Sequence, residues 1–299
     1  MYASPDKKCS DHSICSIQQG GLGLPDKDYY FDADKTDKRL MYIELITNIF
    51  NLIGEDGSID IYKNKVNNAK IAQSVFEFEK KIASAHMTKA EARDPELTYN
   101  FMSLELLNEL TKPCMISYSQ YLTQGKTSDG FNYVQFFDLF GKHFNKGDFG
   151  NVNVSQTNAL KKISEICDSP VVSHYLVFHV VKNNCDHLPK RYVDEKWSFY
   201  EKTLSGVAEQ KPRWKRGLSY IESSLGEALG KIYVKKHFNE DSKIKALRIV
   251  QLVLTELRER IKEVEWMEET TKQEAILKMN KFRVKIGYPD KFQDYRYHH

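Results

Sequence analysis

Hydrophobic residues recur at helical spacing along most of the chain, and one short segment alternates instead. Apolar and polar positions alternate from Ser13 to Gln18, which predicts a single short strand near the N-terminus. From residue 36 to residue 54 the apolar positions follow a helical period, with Thr36 as the predicted N-cap and Gly54 as the predicted C-cap. The pattern therefore favours a mainly α protein.

Three further segments continue the helical pattern. A helix is predicted over residues 63–85, with an apolar side formed by Val66, Ala69, Val75, Phe76 and Ile82. The clearest helix covers residues 242–266, where apolar residues recur at alternating spacings of three and four: Leu247, Val250, Leu254, Leu257, Ile261 and Val264. Thr271 and Glu274 have the spacing of a capping box, which predicts that a helix restarts there and continues through Met279.

Two segments are predicted to be loops, at Gly125–Gly130 and Asn145–Ser155. Neither is long enough to link separate domains. We therefore expect one domain over residues 1–299, built as an array of long helices with at most a short N-terminal strand.

Composition and charge exclude several classes of protein. The 299 residues are 41% hydrophobic and 28% charged, which is an ordinary globular composition. The net charge is only +3 and no basic stripe is concentrated anywhere, so we expect no nucleic-acid partner. The most apolar run, Val171–Val181, is interrupted by two histidines and is too short to cross a bilayer. The polar N-terminus does not resemble a signal peptide.

The cysteines give no clear framework. Their number is odd and no CxxC pair occurs, which argues against a structural zinc site. We expect buried or unreactive thiols. Cys9 and Cys15 are the one pair close enough in sequence to form a bridge in an oxidising compartment. The other three are Cys114, Cys167 and Cys185.

Candidate chemistry is sparse. His174 and His179 are five residues apart and no HExxH sequence occurs, so we expect both to pack or hydrogen-bond in a helix interface. His298 and His299 end the chain without a recognisable pattern. Nucleophile-elbow and phosphate-loop sequences are absent, and no carboxylate lies in an apolar stretch that would raise its pKa. The residues by themselves predict no catalytic, cofactor-binding or metal-binding site in this chain.

The segment Gly21–Tyr30, GLGLPDKDYY, stands out from its polar surroundings. Gly23 is expected either to hold a positive φ or to allow a close neighbour, and Pro25 biases Leu24 towards an extended conformation. Asp26 and Asp28 can accept hydrogen bonds from free backbone N–H groups before a helix. This chemistry predicts a structural corner rather than a ligand-binding loop.

The same segment resembles the corner motif of the neprilysin and endothelin-converting-enzyme family of zinc endopeptidases. Three more segments resemble landmarks of that family and occur in the family's order: Met87–Leu107, Pro212–Phe238 and Glu265–Asp290, which ends in an IGYPD turn. The four landmarks run from Gly21 to Asp290 and cover nearly the whole chain.

The resemblance implies two mostly helical lobes around a cavity, with zinc held by an HExxH helix and a later glutamate. Both zinc-binding helices follow the IGYPD turn in the family, so the resemblance places them after Asp290 and outside these residues. We therefore expect part of a peptide-cleaving enzyme that holds no zinc itself and whose partner is the missing catalytic lobe. Peptide substrates belong to the full enzyme, and the family suggests an extracellular or membrane-anchored location.

An alternative remains open: a free-standing, non-catalytic relative that binds peptides or a partner protein. The helix over residues 242–266 and the aromatic run Phe131–Phe144 supply more apolar area than solvated helices tolerate. If the chain is part of a larger enzyme, we expect at least one exposed apolar face.

Overall fold

A computed structural model of the protein describes residues 1–111 and 150–295. The chain divides into two compact units, Met1–Glu209 and Gln210–His299, which are considered separately below. The predicted mainly α fold class is confirmed. The predicted loop Gly125–Gly130, the aromatic run Phe131–Phe144 and the terminal histidines lie outside the described residues.

Helices predominate among the described residues of the first unit. In chain order they are α1 (Asp28–Phe31), α2 (Thr36–Glu55), α3 (Lys65–Ser84), α4 (Leu104–Thr111), α5 (Thr157–Ile166), α6 (Val172–Asn184) and α7 (Lys190–Trp197). The chain continues from α7 into a π-helical segment, Ser198–Leu204. Across the described ranges of both units, no helix combines the length and the apolar composition needed to cross a membrane.

A small mixed sheet accompanies these helices. Its strands are β1 (Tyr2–Pro5), β2 (Ser13–Ile17), β3 (Phe101–Ser103) and β4 (Asn151–Val154), in the order β1-β2-β4-β3. β2 is the predicted strand, and it pairs antiparallel with β1 and parallel with β4. β3 and β4 are three and four residues long, and they pair with each other across a long stretch of sequence. Sequence periodicity does not detect such short strands.

β4 corrects the loop prediction for Asn145–Ser155. The second half of that segment is a strand whose Val152 and Val154 are buried against Leu107 of α4. The strand exists because β2 and β3 flank it on both sides and satisfy its backbone groups. Its pairing partners are distant in sequence, which is why the Asn- and Gly-rich composition suggested a loop.

The ends of α2 differ from the prediction. Thr36 is the first helical residue and its hydroxyl donates to the Ala33 carbonyl, so it does not cap the helix. Gly54 lies within the last turn, and a Cβ there would overlap the Tyr62 carbonyl. The backbone of Tyr62 lies too close to residue 54 to leave room for a side chain. This lack of space, rather than a C-cap conformation, explains the glycine.

α3 packs against α2 to form the main core. Its N-cap is Asn64, whose side chain accepts from the Val66 and Asn67 amides. The predicted core residues Val75, Phe76 and Ile82 are buried, but Val66 is 74% exposed and Ala69 is also exposed. The buried face instead follows a helical repeat of adjacent pairs: Ile71, Ala72, Val75, Phe76, Ile82 and Ala83.

The second unit contains α8 (Arg213–His237), α9 (Glu240–Glu263) and α10 (Glu269–Asn280). α9 is capped by Asn239, whose side chain accepts from the Ser242 amide, and it packs against α10. α10 begins two residues before Thr271, so the predicted capping box with Glu274 is wrong. Within these three helices only Met279 is buried.

The IGYPD turn is held by the ends of two helices. Gly287 has a φ of +70°, and a Cβ there would lie 2.6 Å from the Phe238 ring that follows α8. Lys243 of α9 donates to the Tyr288 carbonyl at 2.9 Å and to the Asp290 carboxylate at 2.7 Å. The Lys243 ammonium also lies 4.4 Å from the centre of the Tyr288 ring. These contacts fix the IGYPD turn against the other elements of the second unit.

The cysteines depart from the expectation. Cys167 is disulfide-bonded, whereas Cys9, Cys15 and Cys185 are free. Cys9 and Cys15, which the sequence suggested as a possible disulfide pair, are not bonded to each other, although both lie on one N-terminal hairpin segment. The spacing of cysteines in a sequence does not by itself show which of them are paired, and this is why the disulfide was not predicted.

Candidate functional site

A carboxylate lies at the centre of the first unit. Glu79 is on the core face of α3 and is 0% exposed. A buried carboxylate is strongly unfavourable unless its lone pairs are satisfied, so the groups around it have to be donors. Sequence analysis did not single out Glu79 as a residue of interest.

Four groups donate to Glu79. The Tyr30 hydroxyl of α1 donates to Oε2 at 2.6 Å, and the Tyr42 hydroxyl of α2 lies 2.9 Å from Oε1 and 3.0 Å from Oε2. His179 Nε2 of α6 lies 2.7 Å from Oε1. The Gly23 amide of the corner donates to Oε2 at 3.1 Å. One side chain thus joins three helices and the corner segment to α3.

The backbone of the GLGLP corner, Gly21–Pro25, forms hydrogen bonds with the tyrosine side chains around it. The Leu24 amide donates to the Tyr30 hydroxyl at 3.1 Å, and the Tyr200 hydroxyl donates to the Gly23 carbonyl at 2.9 Å. The Gly21 carbonyl accepts from Tyr175 at 2.8 Å. Because these backbone groups already have partners, the corner has few free groups for a ligand. The geometry agrees with the prediction of a structural corner.

Gly23 is needed for space and not for a left-handed conformation. Its φ is not positive, and a Cβ at this position would overlap the Tyr42 phenol group. The absent side chain lets the Tyr42 hydroxyl and the Gly23 amide reach the same carboxylate. Asp26 accepts from the Asp28 amide at 2.9 Å, as predicted, and helps to start α1.

His179 connects Glu79 to a cation. Lys182 Nζ lies 3.4 Å from His179 Nδ1, and an ammonium group can only donate. In this arrangement Nδ1 accepts and Nε2 carries the proton that is donated to Glu79. Burial lowers the pKa of the Lys182 ammonium, while the charge of Glu79 opposes that change. The Glu79 carboxylate is thus linked to the Lys182 ammonium through the His179 imidazole.

The phenols around Glu79 are held in the neutral form. Burial raises the pKa of Tyr30 and of Tyr42, and the nearby Glu79 charge raises each further. The same two causes raise the pKa of Tyr175 and Tyr200. Neutral phenols are the donors that the carboxylate requires, so the electrostatics and the hydrogen bonding support each other.

This arrangement is suited to structure and not to acid–base catalysis. Glu79 has no solvent access, and its oxygens are taken up by protein donors. Two grooves occur nearby. One of about 350 Å³ runs along the corner past His86, and one of about 600 Å³ lies between α3 and the start of α6. Neither reaches Glu79.

His174 and His179 have the structural role that was predicted for them. His174 Nδ1 lies 2.8 Å from the Tyr62 hydroxyl, and His179 bonds Glu79. Among residues 1–111 and 150–295, no group of three His, Cys, Asp or Glu side chains is placed to hold a metal ion. The expectation that this chain has no zinc site stays a prediction.

A sequence signal for Glu79 was available. Residues 71 and 72, 75 and 76, and 82 and 83 are buried apolar pairs, and position 79 falls in the same helical register. A glutamate on such a face has to be paired or hydrogen-bonded. For the hydrogen-bond donors of Glu79, the corner segment offered one indication in the sequence, the adjacent Tyr29 and Tyr30.

Comparison with known proteins identifies the family. The model of the N-terminal region of peptidase family M13 matches residues 1–289, and the chain therefore belongs to the M13 peptidases. Endothelin-converting enzyme 1 of Bos taurus is 26% identical over 298 residues, covering 98% of this chain and 36% of that protein. The chain thus spans about a third of the length of this curated relative.

Solved structures support the same assignment. The zinc metalloprotease ZMP1 of Mycobacterium tuberculosis, solved with an inhibitor, matches with a TM-score of 0.79 and 28% identity, over 98% of this chain and 41% of that chain. PepO of Lactobacillus rhamnosis matches with a TM-score of 0.77 at 16% identity, covering 97% of this chain and 42% of that chain, which supports the fold alone. The predicted resemblance to this family is confirmed.

A first prediction concerns Gly23. Gly23→Val should lower the free energy of unfolding by about 3 kcal/mol, because the new side chain forces Tyr42 away from Glu79. Gly20→Val is the matched control, since no atom lies within 4 Å of a Cβ at Gly20. Chemical denaturation measures both. Equal stability of the two variants would contradict the role assigned to Gly23.

A second prediction concerns Glu79. Glu79→Gln should destabilise the protein by about 3 kcal/mol, because an amide cannot accept from all four donors and one buried donor is left unpaired. Glu77→Gln on the exposed side of α3 should change stability by less than about 0.5 kcal/mol. If the two variants unfold at the same denaturant concentration, the buried network contributes no net stability.

Proposed function

We propose that this chain forms the non-catalytic helical part of an M13 zinc metalloendopeptidase whose zinc site lies in another part of the enzyme. The observation that carries this proposal is the match of residues 1–289 to the N-terminal family model, together with coverage of only 36% of a curated relative. Peptide-bond hydrolysis belongs, in this proposal, to the assembled enzyme.

The zinc ion that the family implies does not fit the described residues. Near the corner, the buried Glu79 carboxylate and the partly buried His179 imidazole are hydrogen-bonded to each other and to further donors. No third ligand stands beside them in the described parts of the chain. We therefore assign no catalytic step to a metal held by these residues.

The exposed apolar surface of the second unit supports a missing partner lobe. Leu247, Leu254 and Ile261 are half-buried where α9 packs near α10, and none of the residues of α9 is fully buried. A second side of α9 exposes Ile249, Leu252 and Val253. These exposed residues support the expectation of an exposed apolar face, although they are not the ones that the sequence pattern singled out.

The first unit supplies rigidity in this proposal. Its core and its Glu79 network hold the corner, α1, α2, α3 and α6 in fixed positions. Preorganised elements of this kind keep a cavity in shape while the zinc-bearing part carries out the chemistry. The chain's contribution is then to shape and enclose the site that receives the peptide.

The native protein provides the test. We expect an antibody against residues 1–209 to isolate from its source cells a protein, or a complex, that contains an HExxH sequence and cleaves a short peptide. Chelation should abolish the cleavage, and zinc should restore it. The purified 299-residue chain should neither cleave the peptide nor bind one equivalent of zinc.

Two results would contradict the proposal. One is chelator-sensitive cleavage by the 299-residue chain alone. The other is a native protein of 34.8 kDa with no HExxH-containing partner, which would favour the non-catalytic binding relative instead.

A further inference from the structure

The segment that follows α3 is held against the corner segment. We call residues 85–93 the strap. Just before the corner segment, the Gln19 side chain accepts from the Met87 amide at 2.9 Å and donates to the Met87 carbonyl at 3.4 Å. Lys89 Nζ of the strap lies 2.8 Å from the Asp26 carboxylate of the corner segment. Backbone hydrogen bonds and one ion pair therefore attach the strap to the corner segment.

An imidazole is buried where the strap meets the corner segment. His86 is 7% exposed, and its Nε2 lies 3.2 Å from the Gly20 carbonyl oxygen. A carbonyl oxygen can only accept, so in the neutral ring Nε2 carries the proton and Nδ1 does not. Lys27 Nζ donates to the His86 carbonyl at 3.2 Å. A proton added at Nδ1 places a second positive charge in a buried position near an ammonium group.

The surroundings of His86 disfavour the charged form of the ring. Burial is the largest cause and holds the pKa of His86 below its ordinary value of 6.5. The hydrogen bond to the Gly20 carbonyl acts in the opposite direction, and the Lys27 charge lowers the pKa further. Within the strap, the Glu91 carboxylate is engaged with the Thr88 amide and hydroxyl. Four charged side chains line the groove beside the ring: Asp26, Lys27, Asp28 and Lys89.

The docked strap is therefore favoured by a neutral His86. In a released strap the ring is hydrated and its pKa returns towards 6.5, so the released form binds protons more tightly than the docked form. The stability that the neutral, buried ring contributes is fully present above about pH 6.5 and is lost as the pH falls below that value. Acidification shifts the equilibrium towards release.

We propose that the strap is a pH-sensitive switch, docked on the corner segment while His86 is neutral and released when the His86 ring is protonated. The groove of about 350 Å³ between the strap and the corner segment is the part of the molecule that changes. This inference is independent of the proposed function, because every group in it belongs to the first unit.

Hydrogen exchange of the strap backbone tests the proposal in the 299-residue chain. The Met87 amide reports docking, because it is bonded to the Gln19 side chain. Its protection factor, which corrects for the effect of pH on the intrinsic exchange rate, is measured at about pH 7 and about pH 5. His86→Gln keeps an N–H that can donate to a carbonyl and has no titrating nitrogen. His12→Gln is the matched control at an exposed histidine.

We expect the protection of the Met87 amide in the wild type to fall by at least about threefold between about pH 7 and about pH 5. His12→Gln should behave like the wild type, and His86→Gln should keep its protection at the lower pH. NMR of the histidine rings in the wild type should place the pKa of His86 below 6.5.

Three results would overturn the proposal. In the first, the wild-type strap keeps its protection at the lower pH. In the second, His86→Gln loses protection to the same extent as the wild type. In the third, the wild-type His86 ring titrates at or above pH 6.5. The ring titration needs no variant, so it decides the question even if His86→Gln does not fold.

Discussion

The buried carboxylate of Glu79 is the constraint on which the first unit depends. Its desolvation is tolerated because two phenols, one imidazole and one backbone amide all point their protons at it. Each donor comes from a different element, so the positions of α1, α2, α6 and the corner are coupled through one side chain. The conformation of the corner serves this network. Gly23 leaves room for the Tyr42 side chain, and the Tyr200 hydroxyl holds the Gly23 carbonyl by a hydrogen bond.

The two units differ in how many of their residues are buried. The first unit encloses a continuous core around α2 and α3, whereas α8 and α9 contain no buried residue in the described part of the chain. Helices that keep amphipathic patterns but bury nothing are typical of elements that are completed by another part of a protein. The chain covers 36% of one curated relative, endothelin-converting enzyme 1 of Bos taurus.

The sequence predicted what is local. Periodicity located α2, α3, α9 and β2, and four ordered landmarks indicated the family. It failed where distant segments determine the outcome, because β4 is a strand only through its pairing with β2 and β3. Cysteine spacing also gave no indication that Cys167 is disulfide-bonded. Glu79 was missed because its donors come from segments up to 100 residues away, at His179. From the sequence alone, the charge of Glu79 suggested that its side chain is exposed to solvent.

The ionisation of Tyr30 and Tyr42 tests the central role of Glu79 most directly. Burial and the Glu79 charge raise both pKa values above the ordinary 10.0, so the network's stability is present below about pH 10 and is lost as pH rises further. Alkaline titration with labelled tyrosine rings, followed by NMR and assigned with Tyr30→Phe and Tyr42→Phe, measures this. We predict that neither phenol ionises until the chain unfolds. Ionisation of either phenol near pH 10.0 with native circular dichroism would contradict the account.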